Sequence, residues 1–492
     1  MNLHSFKSIR FFGTFFFTSK PINLVIILFY SLFININFLH SKEFVIKNEG
    51  DYKNLYKTKI ELDDIEKLLI KNNQELLSLS KLIESSAFNL KSKLAKRYPS
   101  IDLDINGLPQ FLNGQVKNNK RFNTKSSQIS VNPSLSLNWD IIDPQRGPEI
   151  KAAKDSLQIA KNNYLIKRKD LVQEARSRFH NYQKSFEDIN SAKNILRSSK
   201  LSLNQSEARL QSGLGSKLDV LEAKAQLVRD NQFLEDKKED FFKNEVLIKE
   251  ILNLKKDIQI KKDHRIIGYW PYTLKESLKN GLINNISLEN INFQKSLKKN
   301  ESNILLNDNK PFIFISNTFS SSFARGSKLA QFIDNDEKEN GYSNTLSLNL
   351  SWNIFDGGES RNSSNAKTKE SEAENSNFLN FSNILEKDIL NSYSSLKSNK
   401  KRLVSTKKEL DYMKEALRLT RLKYEAGITN LRELISVQKD LAKSRENQIS
   451  AVAIFNLNID KLERLTGLKP SNNCYVNNAL IKKDYLSTIC NL

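Results

Sequence analysis

Cysteine, histidine, glycine and proline are all scarce in this chain of 492 residues, with two, four, 15 and nine respectively. The histidines are scattered (His4, His40, His180, His264) and the cysteines, Cys474 and Cys490, sit near the end, so no metal-ligand spacing exists. No glycine-rich phosphate loop and no nucleophile motif occurs, so no catalytic chemistry, metal or cofactor is expected. Hydrophobic residues make up only 39% and aromatics 9%, which excludes a polytopic helical membrane protein. A β-barrel stays open, because a barrel strand needs apolar residues on one face only. Few breakers beside abundant Leu, Lys, Glu, Asn and Ser favour long helices, and the length exceeds what one compact core usually holds.

The charge is +21, from 77 Lys+Arg against 56 Asp+Glu. Such an excess ordinarily raises nucleic acid as a partner. Here the lysines lie beside acids along helical stretches, as in Asp236-Lys237-Lys238-Glu239-Asp240. There is neither a basic arm nor an aromatic-basic ribonucleoprotein motif, so a solvated helix face is expected and nucleic acid is not.

Residues 1–41 contain Lys7, Arg10 and Lys20, no acid, and an apolar run from Ile22 to Ile34. This reads as a signal peptide ending near Ser41, although Leu39 fits the small-residue cleavage pattern poorly and an uncleaved anchor also fits. Cleavage would leave a mature chain of +18. Export would carry Cys474 and Cys490 into an oxidising compartment, where a disulfide between them and two free thiols both fit.

The chain is written twice. Asn73 recurs as Asn285, Pro99 as Pro311, Trp139 as Trp352 and Gly213 as Gly427, all offset by 212–214 residues. The first repeat is taken as 42–260 and the second as 261–467, followed by a tail, 468–492. Each reads as a helix, two strands around a loop, a very long helix, a glycine turn and a returning helix.

The strands are expected at about 99–141 and 311–354. In Gln128–Ile141 the apolar residues Ile129, Val131, Leu135, Leu137, Trp139 and Ile141 all fall on odd numbers. The second copy places Tyr342, Leu346, Leu348, Leu350, Trp352 and Ile354 on even numbers. Period two with Ser, Asn and Asp between means one apolar and one watery face, over about the 9–11 residues that a tilted strand needs to cross a bilayer. Loops rich in Asn, Gly, Lys and Ser are expected at 112–127 and 324–341.

The helices step in heptads. Leu396, Leu403, Leu410, Leu417 and Tyr424 are seven apart, as are Leu227, Leu234, Phe241 and Ile248. Leu434, Leu441, Phe455 and Leu462 share a track interrupted only by Gln448. In the first long helix Leu171, Ala175, Phe179, Tyr182, Phe186 and Ile189 mark the apolar side. Such patterns argue antiparallel coiled-coil pairs, and a helix from about Gln145 to Ser212 would be on the order of 100 Å long.

Two motifs sharpen the picture. Glu207-Ala-Arg-Leu-Gln-Ser-Gly213-Leu-Gly-Ser-Lys-Leu-Asp219 and Arg421-Leu-Lys-Tyr-Glu-Ala-Gly427-Ile-Thr-Asn-Leu-Arg-Glu433 resemble the helix-turn-helix tips of the TolC family of outer-membrane efflux channels. The resemblance covers roughly residues 55–467. It implies a mixed fold, internally duplicated: a long antiparallel α-helical coiled-coil barrel continued by a transmembrane β-barrel, four strands per protomer in a homotrimer. It implies an outer-membrane duct for tripartite efflux or type I secretion, working with a periplasmic adaptor and an inner-membrane transporter. Asp102 and Asp104 would then face the barrel lumen. Gly213, Ser216, Gly427 and Asn430 would form adaptor-docking tips, and Glu433, Asp219 and Tyr424 a periplasmic gate. The match is imperfect at Ser436, Thr429 and Leu218, where well-known members carry other residues. The competing reading is a secreted coiled-coil scaffold or a periplasmic adaptor, which would not repeat bilayer-length strands twice.

Overall fold

The computed structural model describes residues 58–117, 123–255, 258–260, 266, 268–327 and 338–471. The segment expected to be a signal peptide, Cys474 and Cys490 lie outside them. Two sets of seven elements follow one another in the same order. The first is β1 (Thr58–Ile60), α1 (Leu62–Asn72), α2 (Gln74–Ala95), β2 (Ser100–Lys117), β3 (Asn123–Ile142), α3 (Arg146–Gln211) and α4 (Lys217–Ile251). The second is β4 (Ile258–Ile260), α5 (Leu274–Ile283), α6 (Ile286–Leu306), β5 (Phe312–Ser327), β6 (Lys338–Ser351), α7 (Glu359–Glu425) and α8 (Leu431–Thr466).

The landmarks of the repeat do equivalent structural work. Asn73 and Asn285 cap α2 and α6, their side chains accepting from Leu76 N and Ser287 N, so the single helix expected before each strand pair is divided in two. The indoles of Trp139 and Trp352 donate to the carbonyls of Arg97 and Asn309, both at 3.0 Å, where strands meet helices. Asp143 and Asp356 each accept from backbone N–H groups opening the long helices, Asp143 from Gln145 and Arg146, Asp356 from Gly358 and Ser360. Hydrogen bonds from Ser360 and Gly358 hold the Asp356 carboxyl well below the ordinary carboxylate range.

Four strands form one antiparallel sheet in the order β2-β3-β5-β6. Their register places like with like, because partners across an antiparallel pair share a face. Asp102 pairs with Ser136, Ser136 with Thr318 and Thr318 with Thr345. Asp104, Ser134, Ser320 and Ser343 make a second polar row. The opposite face carries Leu103, Leu135 and Phe319, then Trp139, Ile315 and Leu348. Ile101, Leu103, Leu346, Leu348 and Leu350 are each about two-thirds exposed on it, uncovered by any other of the described residues. The strands run further into the expected loops than alternation indicates, with β2 reaching Lys117 and β5 Ser327. A register shift in β2 falls between Asn106 and Gln110, where Gly107 takes φ +79° and Pro109 follows, the residue types a bulge accommodates.

The helices α3 and α7, of 66 and 67 residues, are each about 100 Å long at the usual rise. Most heptad positions are buried, namely Leu396, Leu403, Leu410 and Tyr424 on α7, Leu434, Phe455 and Leu462 on α8, and Leu234 and Ile248 on α4, while Leu417, Leu441, Leu227 and Phe241 are half-buried. Phe186 departs from the pattern and is exposed, leaning on Phe241 with ring centroids 6.2 Å apart. A thicker core gathers where β1 pairs in parallel with β4 and Ile65, Leu69, Phe179, Tyr182, Ile248 and Ile258 meet. Close by, α3 is pinned to α8 by ions: Arg176 reaches Glu463 at 2.7 Å and Asp460 at 3.4 Å, and Arg464 reaches Asp170 at 2.6 Å. Asp460 is almost fully buried and also holds His180 Nε2 at 3.1 Å. Among the described residues no helix is long and apolar enough to cross a membrane.

Candidate gate and docking site at the hairpin ends

The two helical hairpins end in the same turn. Gly213 has φ +74° and Gly427 φ +75°, a left-handed conformation that glycine adopts without penalty. Beyond them, Leu214 N donates to Arg209 O and Ile428 N to Lys423 O, each at 2.9 Å, closing the last turn of α3 and of α7. Leu214 and Ile428 stand out into solvent at about three-quarters exposure. Returning helices then start at Ser216, which accepts from Asp219 N at 3.1 Å, and at Asn430, which accepts from Glu433 N at 2.9 Å.

These contacts fix where the expected site residues lie. Gly213, Ser216, Gly427 and Asn430 are exposed at the hairpin ends. Asp219 turns its carboxylate back to Ser216 N at 3.3 Å, completing a capping box. Glu433 occupies the equivalent position on α8, but its carboxylate accepts from the Thr429 hydroxyl instead. Tyr424 is 3% exposed, with its hydroxyl 3.2 Å from Ser206 Oγ. Tyr424 therefore bridges second hairpin to first, whereas the two acids are held chiefly by their own turns. Asp102 and Asp104 share the polar face of the sheet, far along the chain from this end.

Sequence reasoning missed the strongest links between the hairpins. Arg209 donates to Tyr424 O at 3.0 Å and Leu214 O at 3.3 Å, and its guanidinium lies over the Tyr424 ring at 5.2 Å. Arg432 on α8 meets Glu222 on α4 at 2.7 Å, and this hydrogen bond, with the charges of Glu222 and Asp219, raises the arginine's pKa. Higher up, Gln438 donates to Ser198 and Ser202 at 3.1 and 3.0 Å. The one available signal was a basic residue four positions before each tip glycine, Arg209 and Lys423.

Comparisons with known proteins agree with this architecture. No curated protein was found to match. Solved structures do: the outer-membrane channel OprN, 15% identical, TM-score 0.66, covers 82% of this chain and 89% of its own. CusC, a protein described as forming a transmembrane channel, is 13% identical with TM-score 0.69, over 85% of this chain and 95% of its own. The CmeC outer membrane channel of Campylobacter jejuni is 13% identical with TM-score 0.65, over 85% and 90%. At these identities the likeness establishes the fold: a helical tunnel and a β-barrel sheet. The family model described as outer membrane efflux protein matches residues 66–253 and 318–468, together more than half of the chain. A scaffold or an adaptor would have to reproduce both the duplicated strands and that match by accident. With both hairpins and all four strands accounted for, the chain belongs to the outer membrane efflux protein family, whose members are channels.

Proposed function

We propose that three copies of this chain close a 12-stranded barrel in the outer membrane, and that their helices continue it as a tunnel through the periplasm. The carrying observation is the open sheet. Four strands cannot close a barrel whose smallest size is about eight, and the apolar face has no cover among the described residues. Two edges and one apolar face are together satisfied by neighbouring copies and lipid. The polar rows through Asp102 and Asp104 then line the lumen. The trimer, rather than another closed ring, rests on the family resemblance. Electron microscopy in detergent tests it: a three-fold particle with a tunnel on the order of 100 Å is expected, and a monomer or a two-fold particle refutes it.

The duct itself performs no chemistry. An inner-membrane transporter supplies the energy, and a periplasmic adaptor joins the two at the tips Gly213–Ser216 and Gly427–Asn430. The exposed Leu214 and Ile428 support that reading, since each offers an apolar knob on a polar turn. Glu433 from each copy forms an acidic constriction there, and Tyr424 and Asp219 help to keep the hairpins closed. Crosslinking in cells from cysteine placed at Ser216 or Asn430 is expected to capture an adaptor. Capture of other copies of the channel alone refutes docking at the tips.

A further inference from the structure

Between the two hairpins lies a cavity of about 260 Å³ whose walls come from α3, α7 and α8. Its charged lining consists of Arg197, Arg421 and Arg445, with no carboxylate, and Leu201, Leu417 and Leu441 give it an apolar part. Arg421 donates to Ser198 Oγ at 3.1 Å. Arg197 and Arg445 make no ion pair or hydrogen bond among the described residues. Ser191, on the same wall, is buried with its hydroxyl unpartnered.

Elsewhere on the helices Arg168, Arg176, Arg178, Arg432 and Arg464 each sit on an acid, whereas none of the three arginines of this cavity does. The internal duplication supplies a control. With Gly213 matched to Gly427, Arg197 corresponds to Asp411, Arg421 to Glu207 and Arg445 to Asn231. The coiled-coil frame therefore has no need of arginine at these positions. Three guanidinium groups lining one cavity with no carboxylate in its wall leave their charge uncompensated there, and a bound anion would compensate it.

We propose that this cavity binds a small amphipathic organic anion, with a carboxylate or sulfonate head on the guanidinium forks and an apolar body against the leucines. Planar guanidinium groups match such heads two bonds at a time, which ammonium groups do not. A mostly apolar lining with a few convergent polar groups is the usual make-up of a small-molecule site. Because one wall belongs to the first hairpin and two to the second, an occupant ties the hairpins together. The site is built within one copy of the chain, so it stands or falls separately from the trimeric duct.

The test is calorimetric titration of the full-length protein in uncharged detergent with 2-naphthoate. Acetate serves as the head alone and 2-naphthylmethylammonium as the charge-reversed body. Saturable binding of naphthoate is expected, with neither control competing. Arg445→Ala breaks no hydrogen bond or ion pair among the described residues and is expected to weaken binding at least about tenfold, and Arg197→Gln to do likewise. Arg445→Lys is expected to fall between, and Arg418→Ala, outside the cavity and paired with Glu415, to leave binding unchanged. The proposal is overturned by absence of saturable binding, by equal binding of acetate or of the ammonium compound, or by full affinity in both Arg445→Ala and Arg197→Gln.

Discussion

Leu348→Arg and Thr345→Arg, two substitutions on β6, separate the faces of the sheet. Leu348 lies on the apolar face beside Ile315 and is 71% exposed, while Thr345 ends the polar row that begins at Asp102. Trp352, on the Asn309 carbonyl, marks the interface where the strand meets the helices. Four residues at about 3.3 Å each, tilted by roughly 40°, put Leu348 on the order of 10 Å inside that level. The middle of a bilayer core of about 30 Å would be at about 15 Å, so the cost of arginine belongs in the lower part of the 2–4 kcal/mol range, about 2 kcal/mol per copy. Three copies in one barrel triple it, to about 6 kcal/mol, a large share of ordinary stability. Thr345 lies deeper by three residues, so depth alone would make it the worse site. Facing a watery lumen beside acidic rows, arginine there is expected to cost within about 0.5 kcal/mol of nothing. The assay is the yield of heat-resistant oligomer after folding into lipid vesicles, followed by its melting temperature. Leu348→Arg should lose most of the oligomer and Thr345→Arg should keep it. Equal yields, or the reverse order, would refute the assignment of faces.

Glu433→Gln is expected to reduce cation preference, read as the reversal potential of purified channels across a salt gradient, because carboxylates at a constriction act locally while distant positive charge is screened over about 10 Å; an unchanged potential removes Glu433 from the gate. Arg209→Ala loses two charge-assisted hydrogen bonds and a ring contact, partly solvated, and should loosen the hairpin ends by about 1–2 kcal/mol. Amide hydrogen exchange around Tyr424 should rise accordingly, and unchanged exchange refutes the clamp. For Asp356 the folded pKa is depressed, so its stabilisation is complete above the ordinary carboxylate pKa and drains as pH falls through the folded value. Asp356→Asn should therefore melt lower than wild type at pH 7, with the gap narrowing toward pH 2; a gap independent of pH would show that the charge is irrelevant.

The alternation from Gln128 to Ile141 was legible because a sheet wet on one face must repeat every second residue, and the register across four strands repeats the same division. Heptads from Leu396 to Tyr424 were legible because burial in a helix pair follows the same spacing. Past the apolar band the rule loses its cause. The segments Leu112–Lys117 and Ala324–Ser327 pair in the ladder although their Asn, Gly, Gln, Lys and Ser content suggested loops. The parallel pair β1 and β4 is three residues long on each side, too short for any period. Phe186 had the right spacing and the wrong environment. Arg209 with Tyr424 and Arg432 with Glu222 join residues more than 200 positions apart, and no local pattern reports such a pairing.

Where the two repeats agree, the shared residue has a backbone task that either copy needs: Asn73 and Asn285 cap, Gly213 and Gly427 turn, Trp139 and Trp352 fasten strand to helix. Where they differ near the hairpin ends, the difference lies in side-chain contacts within a turn or across to the other hairpin. Asp219 closes a capping box with Ser216, whereas Glu433, at the same place in the other copy, is held by Thr429 and is left nearer to solvent. Arg209 crosses to the second hairpin, while the side chain of its counterpart Lys423 makes no hydrogen bond or ion pair among the described residues. A duplicated chain placed in a ring meets two kinds of neighbour, its own other half and the next copy. Identical halves would make those contacts alike and leave no reason for one groove to open before the other. In the three-copy ring proposed above, divergence at Arg209, Glu433 and the three-arginine cavity would make the groove within a copy chemically distinct from the groove between copies, the asymmetry that six hairpins would need to open a mouth by moving some of them against the rest.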